Sequence, residues 1–269
     1  MPELPEVETV VRTLEYQLGN VGIASCEVLY PNIIDNVEVN SFCELLKNER
    51  FTSYSRRGKY LIFTLDTKVL VCHLRMEGKF YVEKDLTLVD KHTHVIFTLD
   101  DGRYLLYHDV RKFGRMYLYD KNEPLTCLSK LGLEPWDSKL NVEYLRSKAK
   151  DMPIKQFLLD QSIIAGIGNI YANEICFALN VLPMCSVSSF TNEMFEQVIV
   201  HTRRILENAI ASGGTTIRSY TSSLGVDGRF QLSLMVHGRD KEECKICHEK
   251  IVKIQLKGRG TYYCPRCQK

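Results

Sequence analysis

Residues 157–179 read FLLDQSIIAGIGNIYANEICFAL. Two apolar stretches with helical spacing flank AGIGN, where Gly166 and Gly168 permit tight turning and close approach of the backbone to a ligand. The N–H groups that open the second helix suit a phosphate, and Asn169 adds a side-chain donor there. A plain packing corner between two helices is the competing reading of this segment alone.

The hydrophobic period changes on either side of it. Upstream, ASCEVLY, KYLIFTL, KVLVCHL, KFYVE, HVIFTL, RYLLYHD and RMYLYD are β-branched and aromatic with short polar breaks, and Asp101-Gly102 marks a two-residue hairpin. So many short strands predict an antiparallel sandwich or flattened barrel. Downstream of a proline-containing connection, residues 121–139, the period turns helical in VEYLRSKA, IKQFLLDQ, NIYANEICFAL and FEQVIVHTRRILENAIASG. The chain also opens on a helix. Acids Glu3, Glu6 and Glu8 and Pro5 precede Val7, Val10, Val11, Leu14 and Leu18, which recur at helical spacing up to Gly19. Few proteins tie down a terminus so firmly.

The most specific local signal is Cys244-x2-Cys247-x16-Cys264-x2-Cys267. Two short cysteine pairs at this separation converge four thiolates on one zinc ion, whose closed sulfur shell makes it structural and not catalytic. Between the pairs, IVKIQL and TYYC read as two strands joined by residues 257–260, which places Arg259 at a hairpin tip, a good phosphate probe. The other six of the ten cysteines are scattered in mostly apolar contexts and read as small core residues. From His237 to Lys269, nine Lys and Arg stand against four Asp and Glu, so the tail is basic although the whole chain carries only +2. That local excess suits a polyanion.

With 269 residues, 45% apolar and 25% charged, the chain has the composition of a globular protein of one large or two ordinary domains. No apolar run is long enough for a membrane span, and the acidic first residues do not fit a signal peptide, so a cytoplasmic protein is expected.

Seven segments, PELPEVETV, RRGKY, HLRMEGKF, HDVRKFGRM, DQSIIAGIGNIYANE, GGTTIR and GRGTYYCPRCQ, occur in the order found in the bacterial formamidopyrimidine-DNA glycosylases, which the chain resembles from first residue to last. The resemblance implies an α+β fold. It comprises an N-terminal helix with an antiparallel β-sandwich (1–125), a helical helix-two-turn-helix domain (126–234) and a β-hairpin zinc finger (235–269). It implies excision of 8-oxoguanine and ring-opened purines from double-stranded DNA, followed by strand cleavage at the abasic site, by a monomer in the bacterial cytoplasm and nucleoid.

The resemblance also implies roles. Met1 is removed, and the secondary amine of Pro2 attacks C1′ of the damaged nucleotide to give an iminium. Glu3 moves protons beside it, with Glu6 in support, and Lys59 engages the substrate phosphate. Arg259 and Asn169 clamp the backbone, and His73 adds a phosphate contact. Met76, Arg111 and Phe113 fill the void left by the flipped nucleotide and face the widowed cytosine, while the loop Gly213–Phe230 closes on the extruded base. An amine must be neutral to attack, and an α-amine titrates near 7.7–8.0. The helix dipole contributes less than one unit, so nearby cations and burial must supply the rest, and the ordered terminus fixes the attacking atom.

Two departures are Asn173 where the family has Asp, and Leu133 where it has Pro. The alternatives are an endonuclease VIII-type enzyme for oxidised pyrimidines, disfavoured by Leu4 and the Met/Arg/Phe set, and a non-catalytic binder of damaged or abasic DNA.

Overall fold

The computed structural model describes residues 1–215 and 230–269. The chain divides into two compact units, one containing residues 1–129 and the other residues 130–215 and 230–269 among those described.

In the first unit α1 (Leu4–Leu18) is followed by β1 (Ile23–Val28), α2 (Val39–Leu46), β2 (Ser53–Arg57), β3 (Tyr60–Thr64), β4 (Lys68–His73), β5 (Lys79–Glu83), β6 (Thr93–Leu99), β7 (Tyr104–His108) and β8 (Arg115–Asp120). The strands form two antiparallel four-stranded sheets, ordered β1-β6-β7-β5 and β2-β3-β4-β8. Alternation decides the layers. Leu61, Phe63, Leu70 and Leu118 of one sheet and Phe80, Val95, Phe97 and Leu105 of the other point into one core, which makes the unit a sandwich. The opposite face of β3, β4 and β8, with Ile62, Val71 and Tyr117, is covered by Leu125, Cys127 and Leu128 from the connection.

Helix α1 contributes Val7, Val10, Val11, Leu14 and Leu18 to that core. At roughly 1.5–3 kcal/mol per buried aliphatic side chain, this anchorage far exceeds any contribution from helix propensity. Glu6 reaches back so that its carboxylate accepts the Glu3 N–H at 2.9 Å, which closes the first turn over the terminus.

One helix and one further strand lie outside the strand-like segments read between residues 24 and 120. Helix α2 arises because Val39, Phe42, Cys43 and Leu46 share a helical face, with Phe42 and Leu46 fully buried. Strand β2, SYSRR, is a polar edge strand that its neighbour β3 recruits through backbone pairing. The β6–β7 turn also differs from a two-residue hairpin. The Leu99 N–H donates to the Arg103 carbonyl, so Asp100, Asp101 and Gly102 form the loop. Asp100 is drawn aside to the Gly22 N–H and to Arg50.

The second unit contains α3 (Val142–Lys148), α4 (Ile154–Leu159), α5 (Asn169–Ala178), α6 (Asn192–Ala211), β9 (Val252–Leu256) and β10 (Arg259–Tyr263). Helix α5 packs on α4, α6 and β10. Gln161 organises the turn between α4 and α5. Its amide nitrogen donates to the carbonyls of Leu159 (3.0 Å) and Ile167 (2.7 Å), and its oxygen accepts the Gly166 N–H at 3.0 Å. Gly166 has φ +102°, a conformation costly for any residue with a Cβ. Among the described residues no helix is long and apolar enough to cross a membrane.

Candidate active site and zinc centre

The first unit gathers most of the candidate residues. Pro2 and Glu3 are buried at the start of α1, and Met1 precedes them, which leaves the Pro2 nitrogen in a peptide bond. The amine of Met1 marks what a terminal nitrogen meets here. Burial pushes its pKa down, Glu3 and Glu6 oppose that, Lys59 adds to it and Glu77 opposes it. Lys59 is buried in the β2–β3 turn, placed by Gly58 at φ +57°.

His73 ends β4 opposite Tyr60, and the two rings meet edge to face at 4.5 Å. Burial first, then the charges of Arg75 and Lys59, hold His73 neutral by lowering its pKa to about 3. Its Nδ1 accepts the Arg75 N–H at 2.9 Å, which leaves Nε2–H as a neutral donor. Met76 is half-buried and Phe113 is 48% exposed, which separates Phe113 from any core role. Arg111 lies over the Phe113 ring at 4.8 Å. Glu77 was not among the sequence candidates. Its signal was only its place beside Met76.

The His73 environment has a pH consequence. With a folded pKa of about 3 against an ordinary 6.5, the unfolded chain takes up the proton first as pH falls. The stability contribution is present above 6.5 and is lost as pH falls towards 3. His237 in the second unit, lowered to about 4 by burial and Lys155, acts in the same direction. At about pH 5 the His73 share of the loss is about 2 kcal/mol. His73→Gln is expected to flatten the dependence of the thermal midpoint on pH between neutral and about pH 5, measured by scanning calorimetry.

In the second unit Asn169 opens α5, and its amide donates to the Gly260 carbonyl at 3.0 Å. The buried Lys155 ammonium donates to the same carbonyl at 2.9 Å and to the Thr261 hydroxyl at 2.7 Å, while that hydroxyl donates to the Arg259 carbonyl at 3.0 Å. Asn169 and Lys155 therefore fix the strand that presents Arg259. The hairpin turn itself is Lys257-Gly258, both at positive φ, and exposed Arg259 is the first residue of β10, paired with Leu256. Lys155 escaped the sequence reading because its partners lie more than a hundred positions away.

Glu174 of α5 was also missed. Its buried carboxylate accepts the N–H groups of Met235 (2.8 Å), Val236 (3.0 Å) and His237 (2.8 Å), tying the chain that leads into the zinc hairpin. Burial raises its pKa, and the three N–H donors oppose that. Glu174→Ala strands three donors beside a cavity of about 450 Å³ lined in part by Phe177, Arg204 and Phe230. Water entering there relieves part of the loss. The expected net cost is about 2–4 kcal/mol, read as a lower chemical-denaturation midpoint.

The sulfurs of Cys244, Cys247, Cys264 and Cys267 lie within 4.8 Å of one another. The Cys244–Cys267 and Cys247–Cys264 separations of 3.9 and 3.4 Å bracket the edge of roughly 3.8 Å that Zn–S bonds of about 2.3 Å give a tetrahedron. The N–H groups of Ile246 and Cys267 point at the sulfurs of Cys244 and Cys264, both at 3.5 Å. Burial and the neighbouring sulfurs push the Cys267 thiol up, so thiolates this close require a cation. The donor set fits zinc and leaves no position open for chemistry.

Three family models match in chain order. The N-terminal domain of formamidopyrimidine-DNA glycosylase matches residues 1–116, its H2TH domain 131–221, and the zinc finger found in FPG and IleRS 241–269. The four cysteines thus hold one structural zinc ion. The formamidopyrimidine-DNA glycosylase of Exiguobacterium sibiricum is 45% identical over 100% of this chain and 99% of its own. A Lactococcus lactis FPG variant in complex with Fapy-dG-containing DNA superimposes with a TM-score of 0.93 at 36% identity over 100% of both chains. The Lactococcus lactis enzyme with abasic-site DNA gives 0.91 at 38% identity over 99% of both. This chain belongs to the formamidopyrimidine-DNA glycosylase family.

Proposed function

We propose that the protein removes 8-oxoguanine and formamidopyrimidines from duplex DNA and then cleaves the strand, with the nitrogen of Pro2 as nucleophile. The observation that carries this reading is the setting of the chain start. Buried Pro2 and Glu3 sit on a helix anchored by five apolar side chains, and a terminal amine there meets both Glu3 and Lys59.

Once Met1 is removed, Pro2 N bonds to C1′ and gives up its own proton, and the C1′–N9 bond breaks with its electron pair on the departing base, which takes up a proton. Glu3 supplies the proton that opens the sugar. The resulting iminium acidifies C2′. Elimination expels first the 3′ and then the 5′ phosphate, so a one-nucleotide gap with phosphates at both ends remains.

Lys59 and His73 hold phosphate oxygens in the first unit, as Arg259 and Asn169 do in the second. Met76, Arg111 and Phe113 occupy the space the flipped nucleotide vacates. The expected lid, Gly213–Phe230, falls mainly on residues 216–229, outside the described residues. We assign the catalytic sandwich to 1–125, the helix-two-turn-helix domain to 126–234 and the zinc finger to 235–269, in a monomer of the cytoplasm and nucleoid.

Borohydride trapping on an 8-oxoguanine duplex tests the reading. A covalent adduct that maps to Pro2 in a chain lacking Met1 is the expected result. An adduct on a lysine, or trapping only with oxidised pyrimidine, overturns it.

A further inference from the structure

The six residues 109–114 that join β7 to β8 carry two of the proposed void fillers, and their main chain converges on one side chain. Asp109 is completely buried. Its Oδ1 accepts the Arg111 N–H at 3.0 Å, and its Oδ2 accepts those of Phe113 at 3.0 Å and Gly114 at 2.8 Å. Its carbonyl accepts the Lys112 N–H at 3.2 Å and His94 Nε2–H at 2.8 Å, while its own N–H donates to the His92 carbonyl at 2.9 Å. Four successive N–H groups, 111 to 114, therefore turn inward to one residue, a nest built around an anion the protein itself supplies.

The loop is drawn in further than a side chain allows. A Cβ at Gly114 would lie 1.7 Å from the Tyr107 hydroxyl and 3.2 Å from Asp109 Oδ2. Lys112 accepts a left-handed conformation, φ +58°, to complete the turn. With the backbone amides gathered inside, the side chains of Arg111 and Phe113 have only the outward direction, where both are exposed and stacked on each other at 4.8 Å.

We infer that Asp109 is a positioning residue for DNA opening. By collecting the amides of the 109–114 loop, it pre-organises Arg111 and Phe113 as a rigid wedge before DNA arrives. The inference rests on the proposed role of those two side chains. A loop of this length without the carboxylate would have to be ordered at the moment of binding, and the void-filling groups would reach the duplex misplaced. Completely buried under its own loop, Asp109 has no exposed surface with which to reach the sugar or the base. Its effect should therefore appear only where a hole in a duplex must be filled.

The test uses Asp109→Asn, Arg111→Ala and the double variant in the full zinc-loaded chain. Single-turnover excision of 8-oxoguanine opposite cytosine is compared with cleavage of an abasic site in a single strand, where no hole opens. Asparagine keeps the volume but has one acceptor oxygen in place of two, so in either orientation its NH2 faces at least one of the amides that Asp109 collects. Zinc content and the thermal midpoint report whether the fold survives.

Asp109→Asn is expected to slow duplex excision about ten- to a hundredfold. It should leave single-strand cleavage within about twofold and add no more than about twofold to the loss already caused by Arg111→Ala. Discrimination between cytosine and adenine opposite the lesion should narrow in parallel. Equal losses on both substrates, or losses that multiply in the double variant, overturn the inference. So does Asp109→Asn at the wild-type duplex rate while Arg111→Ala is slow. An Arg111→Ala variant as fast as wild type on duplex instead removes the wedge reading itself.

Discussion

A chain that keeps Met1, or whose Pro2 nitrogen is blocked by reductive methylation, is expected to lose base excision by about 10⁴- to 10⁶-fold, the scale on which removal of a catalytic nucleophile acts. The reason is electronic. A peptide nitrogen has its lone pair delocalised into the carbonyl, and an N-methylated Pro2 has no N–H to lose and so cannot become the iminium. Among the described residues of the first unit no other buried amine stands at a helix start. The loss should fall on bond making and not on affinity, so the dissociation constant for a lesion duplex, measured by fluorescence anisotropy, stays within about threefold.

Within the processed protein the pH profile carries further information. Burial, with help from Lys59, pushes the Met1 amine down against the pull of Glu3 and Glu6, and the Pro2 amine released by removal of Met1 is expected to share that setting. The neutral, reactive amine therefore persists to lower pH than an exposed one, and the rate falls only as pH drops through that lowered value. Removing the Lys59 charge in Lys59→Met raises the amine pKa, so the acid limb of the single-turnover profile should move to higher pH. A limb that stays in place or moves the other way contradicts the electrostatic role given to Lys59.

Legibility in the sequence followed the range of the interaction involved. Helix α1 could be read because its start signals and apolar stripe lie within eighteen residues, and the zinc ligands because two short knuckles each carry their own pattern. Helix α2 was passed over because eight residues with two buried anchors give a weak period within a run of strands. Strand β2 is not legible locally because an edge strand of Ser, Tyr and Arg owes its conformation to pairing with β3 and to long-range partners, Phe63 for Tyr54 and Glu8 for Arg56.

The site shows the same division. Pro2, Glu3, Lys59 and Arg259 stand in recognisable local motifs, whereas the groups that hold such residues in place do not. Lys155 reaches Gly260, and Glu174 reaches the 235–237 backbone, only after folding brings them there. Asp109 lies within five residues of its targets but presents no familiar spacing. Its significance lies in the three amide donors that the folded loop brings onto one carboxylate.

Stripping the zinc is expected to unfold the 241–269 segment outright and to abolish stable binding of duplex DNA. The small cluster around the metal consists of Phe177, Val236, Ile251 and the ligands Cys244 and Cys264 themselves, so little apolar burial remains once the thiolates repel one another. A structural zinc site contributes about 10–16 kcal/mol of apparent binding energy near neutral pH, comparable to the whole stability of an ordinary domain. Strand β10 depends on this hairpin, and with β10 go the Gly260 carbonyl that meets Lys155 and Asn169 and the placement of Arg259. Cys264→Ser, or chelation followed by desalting, should therefore weaken lesion-duplex binding by more than about a hundredfold. Hydrogen exchange locates the damage: amides of β9 and β10 should lose protection while those of β3 and β4, inside the sandwich core, keep theirs. Retention of protection in β10 after stoichiometric zinc release would show that the hairpin folds without its metal, and the structural role assigned to the four cysteines would then fall.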